Sequence, residues 1–297
     1  MLVIALHKIR SYAELMKPEL TGLSVLTSLA SFYLGSQGSL NLAAVLGVGL
    51  GTLLVGGGAG ALNEYFERRY DAMMKRTERR PIPSGRISPL SALIFGNSIA
   101  VVGLVLLAAF NNLLTAFFAA LTLVSYLVLY TPLKRVVWWN TIVGAIPGSL
   151  PTLIGWAAAR NEITAGSWIL FGILFAWQIP HFLSLAWMYR RDYARAGFRM
   201  LPVIDERGKR TSLHILISSA LLLVVSLLAT WVDLAGLLYL ISAFTLSAGF
   251  ISYPILFRLS TSRRSFQGMS NSYSRRIFFS SLIYLPALML AMVIDKV

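Results

Sequence analysis

The 297-residue chain contains no cysteine and few charged residues. The absence of cysteine excludes a disulfide framework and any metal site built on thiolates. Charged residues make up 13% of the chain, whereas apolar residues make up 57% and the mean hydropathy is +0.70. Soluble proteins carry about 25% charged and about 45–50% apolar residues. The composition therefore excludes an ordinary soluble domain and predicts a polytopic membrane protein.

Nine stretches of the sequence are apolar enough to cross a membrane, and each lacks Asp, Glu, Lys and Arg. A membrane-spanning helix needs about 20 such residues, and because the bilayer offers backbone groups no water, every span must be helical. We therefore expect one all-α integral membrane domain over residues 1–297, with nine transmembrane helices. The predicted spans are residues 21–40, 41–62, 88–109, 112–133, 139–159, 163–189, 211–232, 234–257 and 277–294.

The basic residues are divided unequally between the loops that join these spans. Counted over alternate loops, 24 of the 26 Lys and Arg residues fall on one side of the membrane, and Arg160 and Lys296 fall on the other. By the positive-inside rule the first side is cytoplasmic. We expect a cytoplasmic amino terminus and an external carboxyl terminus. Because topology accounts for the net charge of +14, we expect no nucleic-acid partner.

Two long cytoplasmic loops are predicted to carry the function. They cover about 64–87 and 190–210, follow the second and sixth predicted spans, and each contain seven basic residues. The loops on the opposite side are too short to do more than turn. The first 20 residues have the character of neither a secretory signal nor an organellar transit peptide. We therefore expect an active site on the cytoplasmic side of a prokaryotic plasma membrane.

The first of these segments begins with three oxygen-bearing side chains on one helix face. Asn63, Glu67 and Asp71 stand at i, i+4 and i+8, which places them within about 80° and about 12 Å of one another on an α-helix. Mg²⁺ prefers such oxygen ligands and commonly joins one or two carboxylates to the phosphates of a substrate. The alternative is a solvated helix end whose acids pair with Arg68 or Lys75. Spacing alone does not decide between them.

A group of basic residues follows directly. Guanidinium and ammonium groups bind phosphate oxygens, although a basic cytoplasmic loop is also ordinary beside anionic lipid headgroups. Carboxylates and cations that alternate at the membrane surface favour a site for a metal and a diphosphate. The basic residues of this group are Lys75, Arg76, Arg79, Arg80 and Arg86.

The second loop and the span before it offer further polar candidates. Tyr189, Asp192 and Tyr193 lie at the predicted cytoplasmic end of the sixth span, where Asp192 either supplies an opposing metal ligand or pairs with a neighbouring arginine. His181 lies inside that span, roughly 16 Å from Asp192 along a straight helix. Ionisable groups inside a membrane are costly and tend to be functional. His181 is therefore either a packed, hydrogen-bonded histidine or a residue that contacts a ligand.

Several of these segments resemble the UbiA-type intramembrane prenyltransferases, and in particular the branch of that family that farnesylates heme. Together they cover most of residues 63–203, so the resemblance is more specific than an aspartate-rich motif alone. The segments are NEYFERRYDAMMKRTERRP at 63–81, YTPLKR at 130–135, NTIVGAIPGSLPTLIGW at 140–156, WQIPHFLSLAW at 177–187 and DYARAGFRMLPV at 192–203.

The resemblance implies a fold and a set of site residues. It implies nine transmembrane helices around a central cavity, with the polar motifs of the second and sixth helices facing each other. Ala196 stands where many relatives have a second aspartate, which is typical of the heme branch. The implied catalytic Mg²⁺ ligands are Asn63, Glu67, Asp71 and Asp192, and the implied substrate-binding residues are Arg76, Arg80, Lys134, Tyr189, Tyr193 and His181.

The resemblance also implies a reaction, in which a farnesyl group passes from farnesyl diphosphate to a vinyl group of heme B. Membrane lipid and a heme A synthase or terminal-oxidase assembly are the implied partners. One alternative is a related prenyltransferase that acts on an aromatic quinone precursor or on chlorophyllide. Another is a secondary transporter, but transporters place ionisable groups near mid-membrane, and these spans offer His181 alone.

Overall fold

A computed structural model describes residues 2–38, 40–262 and 270–297, with side chains described from residue 6 onward within those ranges. These residues are almost entirely helical and contain no strand. Arg263 and Arg264, which the charge count includes, lie outside them. The helices are α1 (Leu2–Leu15), α2 (Pro18–Gly35), α3 (Leu42–Asp71), α4 (Pro89–Phe110), α5 (Leu113–Val124), a π-helical segment (Ser125–Tyr130), α6 (Thr131–Leu133), α7 (Asn140–Arg160), α8 (Ala165–Met188), α9 (Arg190–Arg195), α10 (Leu201–Ile204), α11 (Lys209–Trp231), α12 (Leu237–Ser262) and α13 (Ser270–Ile294).

Each predicted span coincides with one of these helices or helical runs. Within the described residues, eight are long and apolar enough to cross a membrane, the run from α5 to α6 counting as one. The remaining predicted span, residues 21–40, coincides with α2. This 18-residue helix begins with Pro18 and Glu19 and is not among the eight. Its buried Ser28 and Ser31 donate hydrogen bonds to the backbone carbonyls of Pro151 and Thr152. In α2, the least apolar of the nine predicted spans, these two buried hydroxyl groups therefore have hydrogen-bond partners inside the protein.

Two helix ends differ from the sequence-based expectation. The first functional loop was expected to begin at about residue 64, but α3 continues to Asp71. Asn63, Glu67 and Asp71 therefore lie on one helix, as their spacing predicted. Conversely, α8 ends at Met188, and Asp192 lies on the separate short helix α9. The projection of 16 Å from His181 to Asp192 along one straight helix is therefore wrong, because the helix axis ends before Asp192.

The chain divides into two compact units. The first contains residues 1–133, 150–163 and 195–197, and the second contains residues 134–149, 164–194 and 198–297. In the first unit, α3 and α4 approach closely through small residues. A Cβ atom on Gly58 would lie 2.7 Å from the carbonyl oxygen of Gly96, and one on Gly103 would lie 2.8 Å from that of Gly51. The assignment of residues 1–297 to a single domain stays a prediction.

Candidate functional site

The first polar motif is buried at the carboxyl end of α3. Asn63, Glu64, Glu67 and Asp71, which we call the carboxylate cluster, are 1%, 1%, 6% and 0% exposed. The last carbonyl groups of a helix have no intrahelical partner, and here the Thr77 hydroxyl donates to the Asp71 carbonyl at 2.8 Å. The alternative of a solvated helix end is therefore wrong, because these side chains are buried.

Arg80 contacts two members of the carboxylate cluster. Its Nη1 donates to Asp71 Oδ2 at 2.8 Å, and its Nε lies 3.8 Å from Glu64 Oε1. Burial alone would lower the pKa of the Arg80 guanidinium, but the neighbouring Asp71 and Glu64 carboxylates raise it above its ordinary value. Arg80 therefore stays a full cation beside the cluster. Arg76, the other predicted diphosphate-binding arginine of this segment, is exposed.

Lys17 is a member of the site that the sequence did not identify. It lies between α1 and α2 with a positive φ of 50°, which is uncommon for a residue with a side chain. Its Nζ donates to Asn63 Oδ1 at 2.6 Å, and it acts electrostatically on Glu64. In the sequence, Lys17 is one of three basic residues before the first predicted span. The positive-inside rule explains a basic residue at this place without any role in a site.

A π-helical segment holds the other side of Asn63. Asn63 Nδ2 donates to Thr131 Oγ1 at 3.1 Å, and Thr131 Oγ1 donates to the carbonyl of Tyr126 at 2.8 Å. The widened turn over Ser125–Tyr130 allows this bond to reach back five residues. Such turns are frequent at functional sites. Asn63 is thus fixed between Lys17 and Thr131.

Two carboxylate oxygens of the cluster are buried and have no hydrogen-bond partner among the described residues. They are Glu64 Oε2 and Asp71 Oδ1. A buried carboxylate oxygen without a partner is unfavourable, so these atoms suit a cation. However, no three His, Asp or Glu side chains of the described ranges are grouped to hold one metal ion. The cluster can supply part of a Mg²⁺ coordination sphere, which leaves positions for phosphate oxygens and water.

Glu64 was not among the predicted ligands, although its spacing could have indicated it. Glu64, Glu67 and Asp71 stand at i, i+3 and i+7, which puts them within about 60° on an α-helix. The spacing i, i+4 and i+8 predicted Asn63 as the third ligand instead. Both series share the buried face of α3.

The second polar motif adjoins an open cavity in the second unit. Asp192 and Tyr193 are half-buried, Tyr189 is exposed, and the Tyr193 ring packs edge-on against Phe198. Lys134 belongs to the same unit, where its carbonyl accepts from the Arg199 amide at 2.9 Å. That Asp192 opposes the carboxylate cluster stays a prediction. The cavity has a volume of about 270 Å³ and is lined by Met188, Tyr189, Arg190, Arg191, Asp192 and Asn271.

His181 is packed within the second unit and is 7% exposed. Its Nδ1 lies 2.7 Å from the Ser281 hydroxyl. The rings of Trp177 and Phe278 lie with their centroids 4.8 Å from its own, at interplanar angles of 21° and 31°. The structure thus satisfies the expectation of a packed, hydrogen-bonded histidine, and one imidazole nitrogen remains for a ligand.

The chain is similar to known proteins over nearly its whole length. The model of the UbiA prenyltransferase family matches residues 24–283. The chain is 41% identical over 296 residues to a protoheme IX farnesyltransferase of Solibacter usitatus, covering 97% of this chain and 99% of the relative. It is 43% identical over 284 residues to the protein of that name from Salinibacter ruber, with 96% and 98% covered.

Solved structures with a similar fold are more distant in sequence. A structure described as digeranylgeranylglyceryl phosphate synthase superposes with a TM-score of 0.79 at 18% identity, covering 97% of this chain and 98% of the other. A UbiA homologue from Archaeoglobus fulgidus, bound to GPP and Mg²⁺, superposes with a TM-score of 0.63 at 18% identity, with 95% and 99% covered. The predicted fold class is confirmed.

Proposed function

Because the chain belongs to the UbiA prenyltransferase family, we propose that it transfers a farnesyl group from farnesyl diphosphate to a vinyl group of heme B. The prediction of a multi-pass membrane prenyltransferase is confirmed by the family match and by the named relatives. The acceptor follows from relatives about 40% identical over nearly the whole chain, all named protoheme IX farnesyltransferase. This acceptor is preferred to an aromatic quinone precursor or chlorophyllide.

The buried carboxylate cluster with its two cations is the observation that carries the proposal. Farnesyl diphosphate joins an apolar chain, suited to the space between helices, to a highly charged head. A site at the end of a membrane-spanning helix meets both requirements. Arg80 is held beside Asp71 and Glu64 at such an end, and its remaining N–H groups are suited to phosphate oxygens.

The protein's part in the first step is to stabilise the leaving group. As the bond between C1 of farnesyl and the diphosphate oxygen breaks, the electron pair stays with diphosphate and an allylic cation remains. Arg80, Arg76 and Lys134 stabilise that developing negative charge. Mg²⁺, when bound, adds Lewis-acid stabilisation of the same charge. Its proposed ligands are Asn63, Glu67, Asp71 and Asp192, and we add Glu64 because its Oε2 is buried without a hydrogen-bond partner among the described residues.

The second step joins the farnesyl cation to heme. The vinyl group of heme B supplies the electron pair for the new carbon–carbon bond, which leaves a cation beside the porphyrin ring. Water adds to that cation and loses a proton, so the product carries a hydroxyethylfarnesyl substituent. Apolar walls exclude water until this last step, and no nucleophilic side chain is required. Tyr189, Tyr193 and His181 are the proposed contacts for the substrates.

The topology of the reaction is also part of the proposal. Lys17 at the start of α2 contacts Asn63 near the end of α3, so the cluster lies on the side of the membrane from which the first span enters. With a cytoplasmic amino terminus, the active site faces the cytoplasm and the carboxyl terminus is external. A heme A synthase or terminal-oxidase assembly remains the predicted acceptor of the product.

The reaction can be tested with the purified protein. We expect that incubation with heme B, farnesyl diphosphate and Mg²⁺ yields a farnesylated, hydrated heme that mass spectrometry of extracted hemes detects. Omission of Mg²⁺ or addition of a chelator should remove the product. If no heme is modified while an aromatic quinone precursor is prenylated, the heme acceptor is wrong and the family assignment still holds.

Asp71→Asn tests the role of the carboxylate cluster. The amide keeps the size of the side chain but removes the charge beside Arg80, so the loss should appear in the rate of the chemical step, by about 3 kcal/mol or more. Asp192→Asn tests the predicted opposing ligand in the same way. Glu78→Gln is the matched control, because Glu78 is an exposed acid in the segment that follows α3. Near wild-type turnover of either Asp variant at saturating Mg²⁺ would contradict the assignment.

A further inference from the structure

The hydroxyl group of Ser281 determines which nitrogen of His181 carries a proton. Ser281 Oγ lies 2.6 Å from the carbonyl oxygen of Phe278, to which it donates. A serine hydroxyl has a single hydrogen and otherwise accepts. Because that hydrogen is used on the carbonyl, the contact of 2.7 Å between Ser281 Oγ and His181 Nδ1 requires Nδ1 to be the donor. In the neutral imidazole, Nε2 is then left with its lone pair.

The orientation of the imidazole ring is fixed as well. Trp177 and Phe278 each lie with their ring centroid 4.8 Å from that of His181, at small interplanar angles. Trp177 is itself held, because its indole Nε1 donates to the Ser281 carbonyl at 2.8 Å. With Nδ1 bound to Ser281, Nε2 is the ring nitrogen that remains for another partner. Among the described residues, Nε2 has no hydrogen-bond partner.

We propose that His181 Nε2 is an axial ligand of the iron of bound heme B, and that Ser281 is the positioning residue that holds the ligating tautomer. This inference rests on the proposed function, in which heme B is the acceptor. Histidines that bind a metal typically donate their other N–H to a carbonyl, carboxylate or similar group, which fixes the tautomer and the ring plane. Ser281 supplies that partner to His181 Nδ1. Ligation at one point would set where the reacting vinyl group lies.

The first test compares heme B with metal-free protoporphyrin IX as ligands. The two porphyrins share the same ring substituents, and in heme B the iron replaces two pyrrole protons. A change in the ratio of their affinities between variants therefore reports the bond to iron. The wild-type protein should bind heme B more tightly, and His181→Ala should reduce that preference by about tenfold or more, which is about 1.4 kcal/mol. His214→Ala, whose ring packs edge-on against Trp138, should leave the preference unchanged.

The second test reads the iron directly. Ferric heme B bound to the wild-type protein should give the optical and electron paramagnetic resonance spectra of a nitrogen axial ligand. His181→Gly should lose this signature, and added imidazole should restore it, which shows that the variant is folded. Ser281→Ala leaves the imidazole in place but removes its fixed partner, so heme affinity should fall by about 10- to 100-fold, and Ser281→Thr should recover part of it.

The outcomes separate this inference from the reaction itself. An unchanged iron spectrum in His181→Gly, or an unchanged porphyrin preference in His181→Ala, would overturn the iron ligation. Wild-type heme affinity in Ser281→Ala would overturn the positioning role. A histidine-ligated heme that is never farnesylated would instead overturn the proposed reaction and leave the ligation intact.

Discussion

At the scale of single residues, one hydrogen bond and two ion pairs hold Lys17 and Arg80 against the carboxylate cluster. The Lys17 ammonium occupies one face of Asn63 and adds positive charge to the carboxylate cluster. Asn63 Oδ1 therefore cannot bind a metal ion without moving away from Lys17. Arg80 holds one oxygen of Asp71 in the same way. The cations that neutralise the cluster are thus expected to compete with the metal when diphosphate is absent.

Lys17→Met tests this competition. Removal of one positive charge within a few ångströms should tighten divalent-ion binding in the absence of diphosphate by about tenfold or more, and it frees Asn63 Oδ1. Titration with Mn²⁺ followed by electron paramagnetic resonance measures the affinity. Lys75→Met is the matched control, because Lys75 is an exposed lysine beyond the end of α3. Equal Mn²⁺ affinity in Lys17→Met and the wild-type protein would show that Lys17 does not oppose the metal.

The sequence predicted Asn63, Glu67 and Asp71 of the cluster and the neighbouring Arg80, but neither Glu64 nor Lys17. Asn63, Glu67 and Asp71 are on one helix face because the helix period is fixed. Lys17 is 46 residues from Asn63, and its position depends on how α2 lies against α3. No local pattern encodes such a contact. The positive-inside rule already explains the charge of Lys17, so the sequence did not indicate its contact with Asn63.

At the scale of secondary-structure elements, α2 and α7 approach until their backbones touch. A Cβ atom on Gly155 would collide with the carbonyl oxygen of Ser28, which is backbone and cannot swing away. The hydroxyl groups of Ser28 and Ser31 bond to carbonyls of α7 over the same contact. Small residues permit this approach, and hydrogen bonds stabilise it within the membrane.

Gly155→Ala should therefore destabilise the protein. The added methyl group must push α2 from α7, and overpacking of this kind costs about 1–3 kcal/mol. Gly249→Ala in α12 is the matched control, since no atom lies within 4 Å of its Cβ position and alanine favours the helix. Thermal unfolding in detergent, followed by tryptophan fluorescence, compares the two midpoints. A midpoint for Gly155→Ala equal to that of Gly249→Ala would contradict the close contact.

At the scale of the whole molecule, α2 decides the topology. Eight crossings would place both termini on one side of the membrane, whereas nine place them on opposite sides. Nine crossings place 24 basic residues on one side and only Arg160 and Lys296 on the other, so the positive-inside rule favours nine. Because Ser28 and Ser31 pair with α7, the moderate hydropathy of α2 is compatible with a crossing.

Reporter fusions can determine the sidedness. Fusions after Arg160 and after Val297 should both report an external location, because four predicted spans separate the two positions. A fusion after Gly85, in the basic segment between α3 and α4, should report the cytoplasm and serves as the control. A cytoplasmic signal at Val297 together with an external signal at Arg160 would contradict the four crossings between these positions. An external amino terminus would contradict the crossing of α2, because α2 is the span that separates it from the later fusion sites.

The sequence by itself determined the class of the protein, its spans and the residues of its first polar motif. These properties depend on composition, on the length of apolar runs and on a helix period that do not vary with context. Tertiary structure decided the rest: that α3 buries Asn63 and Asp71, that Lys17 contacts Asn63, and that the Ser281 hydroxyl contacts His181 Nδ1. Each of these depends on a contact between residues distant in the chain, and packing between helices creates such contacts where local spacing carries no information.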